Sequence, residues 1–204
     1  MPKIVDYDSK REEVAEATWR VIAKRGIDNA TIREIAKEAH CSTGVITHYY
    51  RDKKELLLYA LRLARVRLAR RVERKMAGVV DRETIRSVVF ESLPLDTEGR
   101  LGMQIWLSFW GRTVSDPSML EEQKLRYSES RRFMTDLILE AQRNGVIRAD
   151  VDALAEADSI TAMGDGVGIQ ATLEPSRFPA ERQMAIMDKY LSTLFSANSK
   201  EAVS

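Results

Sequence analysis

Apolar residues recur along this chain at the 3.6-residue spacing of helices almost from end to end, and no run shows the alternation of a half-buried strand. The first stretch, residues 10–25, lines up Val14, Ala17, Thr18, Val21 and Ile22. Ser9 and Glu12 are spaced as a capping box before it, and Gly26 is its stop. Two short helices follow, over 32–39 behind Thr31 and over 43–49 behind Ser42, each opened by a hydroxyl that caps free N–H groups. A longer helix, 53–77, is apolar in its first half and arginine-rich in its second. The remaining pattern predicts helices over 82–93, 97–114, 117–143, 151–173 and 180–196. Their punctuation is Asp81, Pro94, Asp116-Pro117, Asn144-Gly145, Asp150, Pro175 and Pro179, and the last eight residues fray. The expectation is an all-α protein of nine helices.

The stretch Thr31–Lys53 has the grammar of a helix-turn-helix: a capped short helix, a tight polar turn, then a second short helix carrying hydroxyls, a glycine and aromatics. Such a unit sets its second helix in the major groove of DNA. Thr31 and Ser42, at the two helix starts, combine a hydroxyl with free amides suited to phosphate, and Tyr49 offers a phenol to the backbone. Base reading falls to Arg33, Thr43, Gly44, Thr47 and His48. Arginine bonds guanine bidentately, threonine meets a thymine methyl, and glycine lets the backbone approach. Val45, Ile46 and Tyr50 read as core. The bland reading makes Thr31 and Ser42 caps only and pairs Arg33 with Glu34 or Glu38. A second helix of two turns reaches few base pairs, so a homodimer on a near-palindromic double-stranded operator is the physical expectation.

Charge sharpens this picture. The net charge is only +1, but residues 1–75 hold 18 Lys and Arg against 11 Asp and Glu, while the rest hold 14 against 20. The basic part coincides with the helix-turn-helix and suits a polyanion. The amino-terminal residues are charged, with no signal-like apolar run, and no stretch is long and apolar enough to span a bilayer. A cytoplasmic protein without a membrane partner is expected. One cysteine, Cys41, excludes an internal disulfide framework. His40, His48 and Cys41 all lie in or beside the DNA-reading stretch. The remainder therefore has no histidine or thiol for acid–base or nucleophilic work and only scattered carboxylates, and neither catalysis nor a cofactor is expected.

The residues resemble the TetR family of one-component regulators. The resemblance rests on Thr31-Ile32-Arg33-Glu34-Ile35-Ala36, on Ser42-Thr43-Gly44-Val45-Ile46-Thr47-His48-Tyr49-Tyr50, and on Asp52-Lys53-Lys54-Glu55-Leu56-Leu57. With the first helix it covers roughly residues 10–58. It implies a three-helix DNA-binding head, residues 1–52, and a helical ligand-binding and dimerisation body, residues 53–204. It also implies a phosphate contact for Lys53. Where relatives commonly carry tyrosine, this chain has Thr47; where their turn carries glycine and valine, it has His40 and Cys41. Beyond residue 60, Trp106-Leu107-Ser108-Phe109-Trp110 and Asp165-Gly166 look similar to the subgroup that includes choline-responsive repressors of betaine synthesis.

In the body, Met103, Trp106 and Trp110 recur at helical spacing beside Phe109, either as core or as a pocket wall for a planar or cationic ligand. Tyr127, Phe133, Met163, Asp165 and Gln170 lie on later helices that the family fold brings around this one. Asp165 is the candidate counter-charge for a cation, or else a partner within the dimer interface. Gly164 and Gly168 share a helix face that permits close approach. With Leu173, Ile186, Tyr190 and Leu194 they fit the family's dimer interface, the other reading being intramolecular packing. The resulting expectation is a homodimeric transcriptional repressor released from its operator by a small molecule. The rivals are a DNA-binding regulator whose body holds no ligand, and an activator.

Overall fold

The computed structural model describes residues 3–197, with side chains from Tyr7 onward. Among these residues the elements are nine α-helices: α1 Lys3–Arg25, α2 Ile32–Glu38, α3 Thr43–Tyr49, α4 Lys53–Lys75, α5 Arg82–Phe90, α6 Thr97–Thr113, α7 Pro117–Arg143, α8 Ala153–Leu173 and α9 Ala180–Leu191. The count and order match the apolar periodicity. Four ends differ. α1 starts at Lys3, so Ser9 and Glu12 lie inside the helix and form no capping box. Tertiary contacts hold the added turns, because Tyr7 packs its ring on Tyr49. α5 stops at Phe90, short of Pro94. α8 is capped by Asp152, not Asp150, its carboxylate accepting from the amides of Leu154 and Ala155. α9 ends at Leu191, after which the chain turns into an antiparallel bridge between Ile147 and Phe195. Of the eight terminal residues expected to fray, all but Ala197 lie outside the described residues.

The chain packs as two units, Met1–Arg67 with Gln104–Glu121, and Leu68–Met103 with Glu122–Ser204. In the first, α1 and α2 pack, α2 and α3 pack, and the buried side chains include Val14, Ile22, Ile35, Ile46, Tyr50, Leu56 and Leu57. Burying each such side chain contributes about 1.5–3 kcal/mol. Trp19 ties α1 to α4, its indole N–H donating to the Ala60 carbonyl at 2.9 Å. This unit reaches past residue 52. The Lys54 ammonium pairs with Asp116 at 2.9 Å, and Arg112 pairs with Asp28. The helix-turn-helix is thus packed together with the start of α4, the end of α6 and the start of α7.

In the second unit, α5 and α8 both pack on α9. The core runs through Ile85, Val88, Val89, Leu137, Ile138, Ile160, Val167, Met187 and Leu191. Arg86 forks onto Asp188, with bonds of 2.6 and 2.9 Å, joining α5 to α9. No helix among the described residues is long and apolar enough to cross a membrane.

Candidate nucleic-acid interface and body site

The turn between α2 and α3 is a Schellman motif. The Cys41 amide donates to the Ala36 carbonyl at 3.0 Å and the His40 amide to Lys37 at 3.3 Å, while His40 takes φ +51. The motif favours glycine at that residue, so a histidine there holds local strain. Cys41 is half-buried against this turn, and burial raises its thiol pKa. Thr31 Oγ1 accepts from the Glu34 amide at 3.2 Å and Ser42 Oγ from the Val45 amide at 3.3 Å. Both hydroxyls are therefore true caps.

The residues expected to read bases lie on the outer face, while Val45, expected in the core, is half-buried. Arg33, Ser42, Thr43, Gly44, Thr47 and His48 are exposed, Tyr49 is half-buried, and Ile46 and Tyr50 are core. The acids on α2 do not take Arg33. Glu34 pairs with Arg25 at 3.1 Å, and Glu38 with Arg20 at 2.8 Å and Lys24 at 3.0 Å. Lys24 first and Arg20 second pull the Glu38 pKa down. These pairs fasten α2 to α1 and leave the guanidinium of Arg33 on the outer face. Thr47 spends its hydroxyl proton on the Gly44 carbonyl at 3.2 Å. Lys53 is half-buried, its ammonium on the carbonyls of Ile27 (3.4 Å) and Asp28 (3.3 Å), and burial lowers its pKa. Two of its three donors thus hold the α1–α2 loop, and one remains for a phosphate.

The body residues divide. Trp106 is 6% exposed and Phe109 fully buried, whereas Trp110 is 47% exposed, its ring 6.2 Å from that of Trp106. Met103 is buried and sits against Gly168, where an added Cβ would meet its methyl at 2.2 Å; at Gly164 an added Cβ would meet Ser92 Oγ at 3.2 Å. The two glycines serve packing within the chain, and their faces are not open to a partner. Leu194 is core too, at 3% exposed, and the Tyr190 hydroxyl donates to Glu156. Leu173 is 73% exposed and Ile186 half-buried. Tyr127 and Asp165 are brought together: the phenol donates to Oδ2 at 2.6 Å, with Arg126 Nη2 3.8 Å from Oδ1. Burial raises the Asp165 pKa, against the Tyr127 bond and the Arg126 charge. Met163 is half-buried, while Phe133 and Gln170 are exposed, the amide of Gln170 turned onto the Gly166 carbonyl.

A profile of the bacterial regulatory proteins of the tetR family matches residues 14–60, and one of the BetI-type transcriptional repressor, C-terminal, matches residues 81–196. The chain belongs to the TetR family. Its carboxy-terminal region is of the BetI type, and it is a DNA-binding transcriptional repressor. It is similar to the HTH-type transcriptional regulator PksA of Bacillus subtilis, 27% identical over 202 residues, 98% of this chain and 97% of that one. It is similar also to BetI of Proteus mirabilis, 29% identical over 194 residues, 94% of each. Among solved structures, a transcriptional regulator from Saccharomonospora viridis in complex with choline is 26% identical. It superposes with a TM-score of 0.85 over 93% of this chain and 99% of that one. A Rhodococcus regulator, 24% identical with a TM-score of 0.81 over 90% and 95%, shares the fold.

Within this TetR-family head the sequence reading missed two things. Tyr7 belongs to α1 and packs on the second helix of the motif, which a helix start at residue 10 hides. The ties of Lys54 and Arg112 to Asp116 and Asp28 are long-range and leave no mark in local spacing.

Proposed function

We propose that this repressor works as a cytoplasmic, non-catalytic homodimer whose operator affinity is lowered by a small cationic molecule. Residues 1–52 read DNA, and residues 53–204 bind the ligand and the second subunit. The observation that carries the ligand class is the half-buried Asp165 carboxylate, held by Tyr127 between α7 and α8. A fixed negative charge beside an aromatic ring suits a quaternary ammonium, and choline itself is bound by the Saccharomonospora viridis relative. Base reading is assigned to Arg33, Thr43, Gly44, Thr47 and His48, and backbone contacts to Thr31, Ser42, Tyr49 and the remaining donor of Lys53. The support is the joint exposure of Thr31, Arg33, Ser42, Thr43, Gly44, Thr47 and His48 along α2 and α3; Tyr49 and Lys53 are half-buried.

Dimerisation is assigned to α8 and α9. In place of Gly164 and Gly168, the outward stripe of α8 runs through Ala155, Ser159, Ala162 and half-buried Gly166, small residues at helical spacing that admit close packing, to the large exposed Leu173. Ile186 on α9 joins them.

Choline chloride titrated into the protein on a labelled duplex from upstream of its own coding region tests the whole reading. Release of DNA, with choline affinity reduced by DNA through the same factor, is the expected result. Choline bound equally with and without DNA overturns the inducer model. One observation favours a second reading, a repressor whose body holds no ligand: Arg126 and Tyr127 already face Asp165. Absence of any choline binding decides for it.

A further inference from the structure

The opening turns of α1 lie outside the helix-turn-helix, yet they carry an aromatic side chain onto it. The Tyr7 ring stands 4.8 Å from the ring of Tyr49, tilted at 54°, and 6.4 Å from the His48 imidazole, edge-on at 76°. His48 and Tyr49 meet edge-to-face at 5.1 Å. Three rings thus form one cluster, two from α3 and one from α1. The turn bearing Tyr7 is itself anchored. The Arg11 guanidinium, one turn on, lies 5.9 Å from the Tyr7 ring, 5.2 Å from Tyr50 and 4.4 Å from Tyr59. Buried Tyr50 returns a hydrogen bond from its hydroxyl to the Arg11 carbonyl at 2.8 Å.

We infer that Tyr7 is a positioning residue for DNA recognition, its ring holding His48 and Tyr49 in the orientation in which α3 meets the groove. His48 stands exposed near the end of a two-turn helix. A side chain left free there loses rotamer freedom on binding, whereas one clamped beforehand does not. Edge-to-face and tilted ring pairs contribute beyond the area they bury, and they fix geometry as well as energy. Tyr7 is 38% exposed, so its ring packs on the α3 rings while part of it stays open to solvent. The inference rests on the proposed base-reading role of α3.

The test uses the full chain, a duplex that the wild type selects from a random-sequence pool, and a scrambled duplex of equal length. Tyr7→Ala is expected to lower affinity for the selected duplex by roughly three- to tenfold. The scrambled duplex and the melting midpoint should change little. Tyr7→Phe, which keeps the ring, retains wild-type affinity. In a cycle with His48→Ala, the two losses are less than additive. Unchanged affinity in Tyr7→Ala overturns the inference. So does a Tyr7→Phe as poor as Tyr7→Ala, which marks a direct hydroxyl contact, or equal losses on both duplexes with a lowered midpoint, which mark a fold tie. A wild type that selects no sequence removes the DNA-reading assignment and this inference with it; selection that survives Tyr7→Ala intact removes the inference alone.

Discussion

Tyr127 donates its hydroxyl to Asp165 at 2.6 Å, joining α7 to α8 where the carboxylate is mostly shielded from water. The pair sets the sign of a pH effect. Burial holds the Asp165 pKa above its ordinary value, while the bond from Tyr127 and the charge of Arg126 act against that rise. A cation is bound by the ionised form, so affinity is full above the folded pKa and falls as pH drops through it, higher than for an exposed aspartate. Choline affinity measured by calorimetry from neutral to mildly acidic pH should decline accordingly. Asp165→Asn should lower it roughly tenfold or more and flatten the pH profile. For folding the sign is opposite. A raised carboxyl pKa gives stability that is present below the unfolded value and lost as pH rises through the folded one, so Asp165→Asn should not melt earlier at neutral pH.

The outward guanidinium of Arg33, free of Glu34 and Glu38, is placed for a base or phosphate. Arg33→Ala should cost about 1–3 kcal/mol on the selected duplex if it reads guanine bidentately, with preference relaxed at one position. A uniform loss across sequences with a shallower salt slope would identify a phosphate contact instead.

His40 pays for its left-handed backbone in strain. His40→Gly removes about 1–2 kcal/mol of that strain and adds unfolded-chain entropy worth about 0.4–1 kcal/mol. The expected net is a gain of about 0.5–1 kcal/mol, seen as a rise of roughly 1–4 °C in melting midpoint. A fall would show that the histidine side chain supplies compensating contacts.

Ala162 lies exposed in the middle of the outward face of α8. Ala162→Glu should convert the proposed dimer to a monomer in sedimentation velocity and weaken operator binding, since one head reaches only one half-site. A dimer that persists unchanged moves the interface off this face.

The helices themselves were legible because apolar periodicity and capping residues act within a few positions. Thr31, Ser42, Gly26 and Gly145 sit at the ends they announce, and Arg33, Thr43, Gly44, Thr47 and His48 face outward as their register requires. Register along a helix fixes which residues share a face, but not what that face meets. Gly164 and Gly168 do share one, and it meets Met103 and Ser92 of the same chain. Leu194, expected at an interface, lies in the core, because the chain turns after Leu191 to bridge Phe195 to Ile147.

The sequence by itself therefore determined the all-α class, the order of the helices, the helix-turn-helix and its outward residues, since these follow from local spacing and side-chain chemistry. Only the tertiary structure decided that Tyr7 lies on His48 and Tyr49, that Lys53 holds a loop, that Trp106 is buried while Trp110 is not, and that Tyr127 meets Asp165. Those contacts join residues tens of positions apart. Their existence depends on how apolar faces pack once the chain has collapsed, which no local pattern encodes.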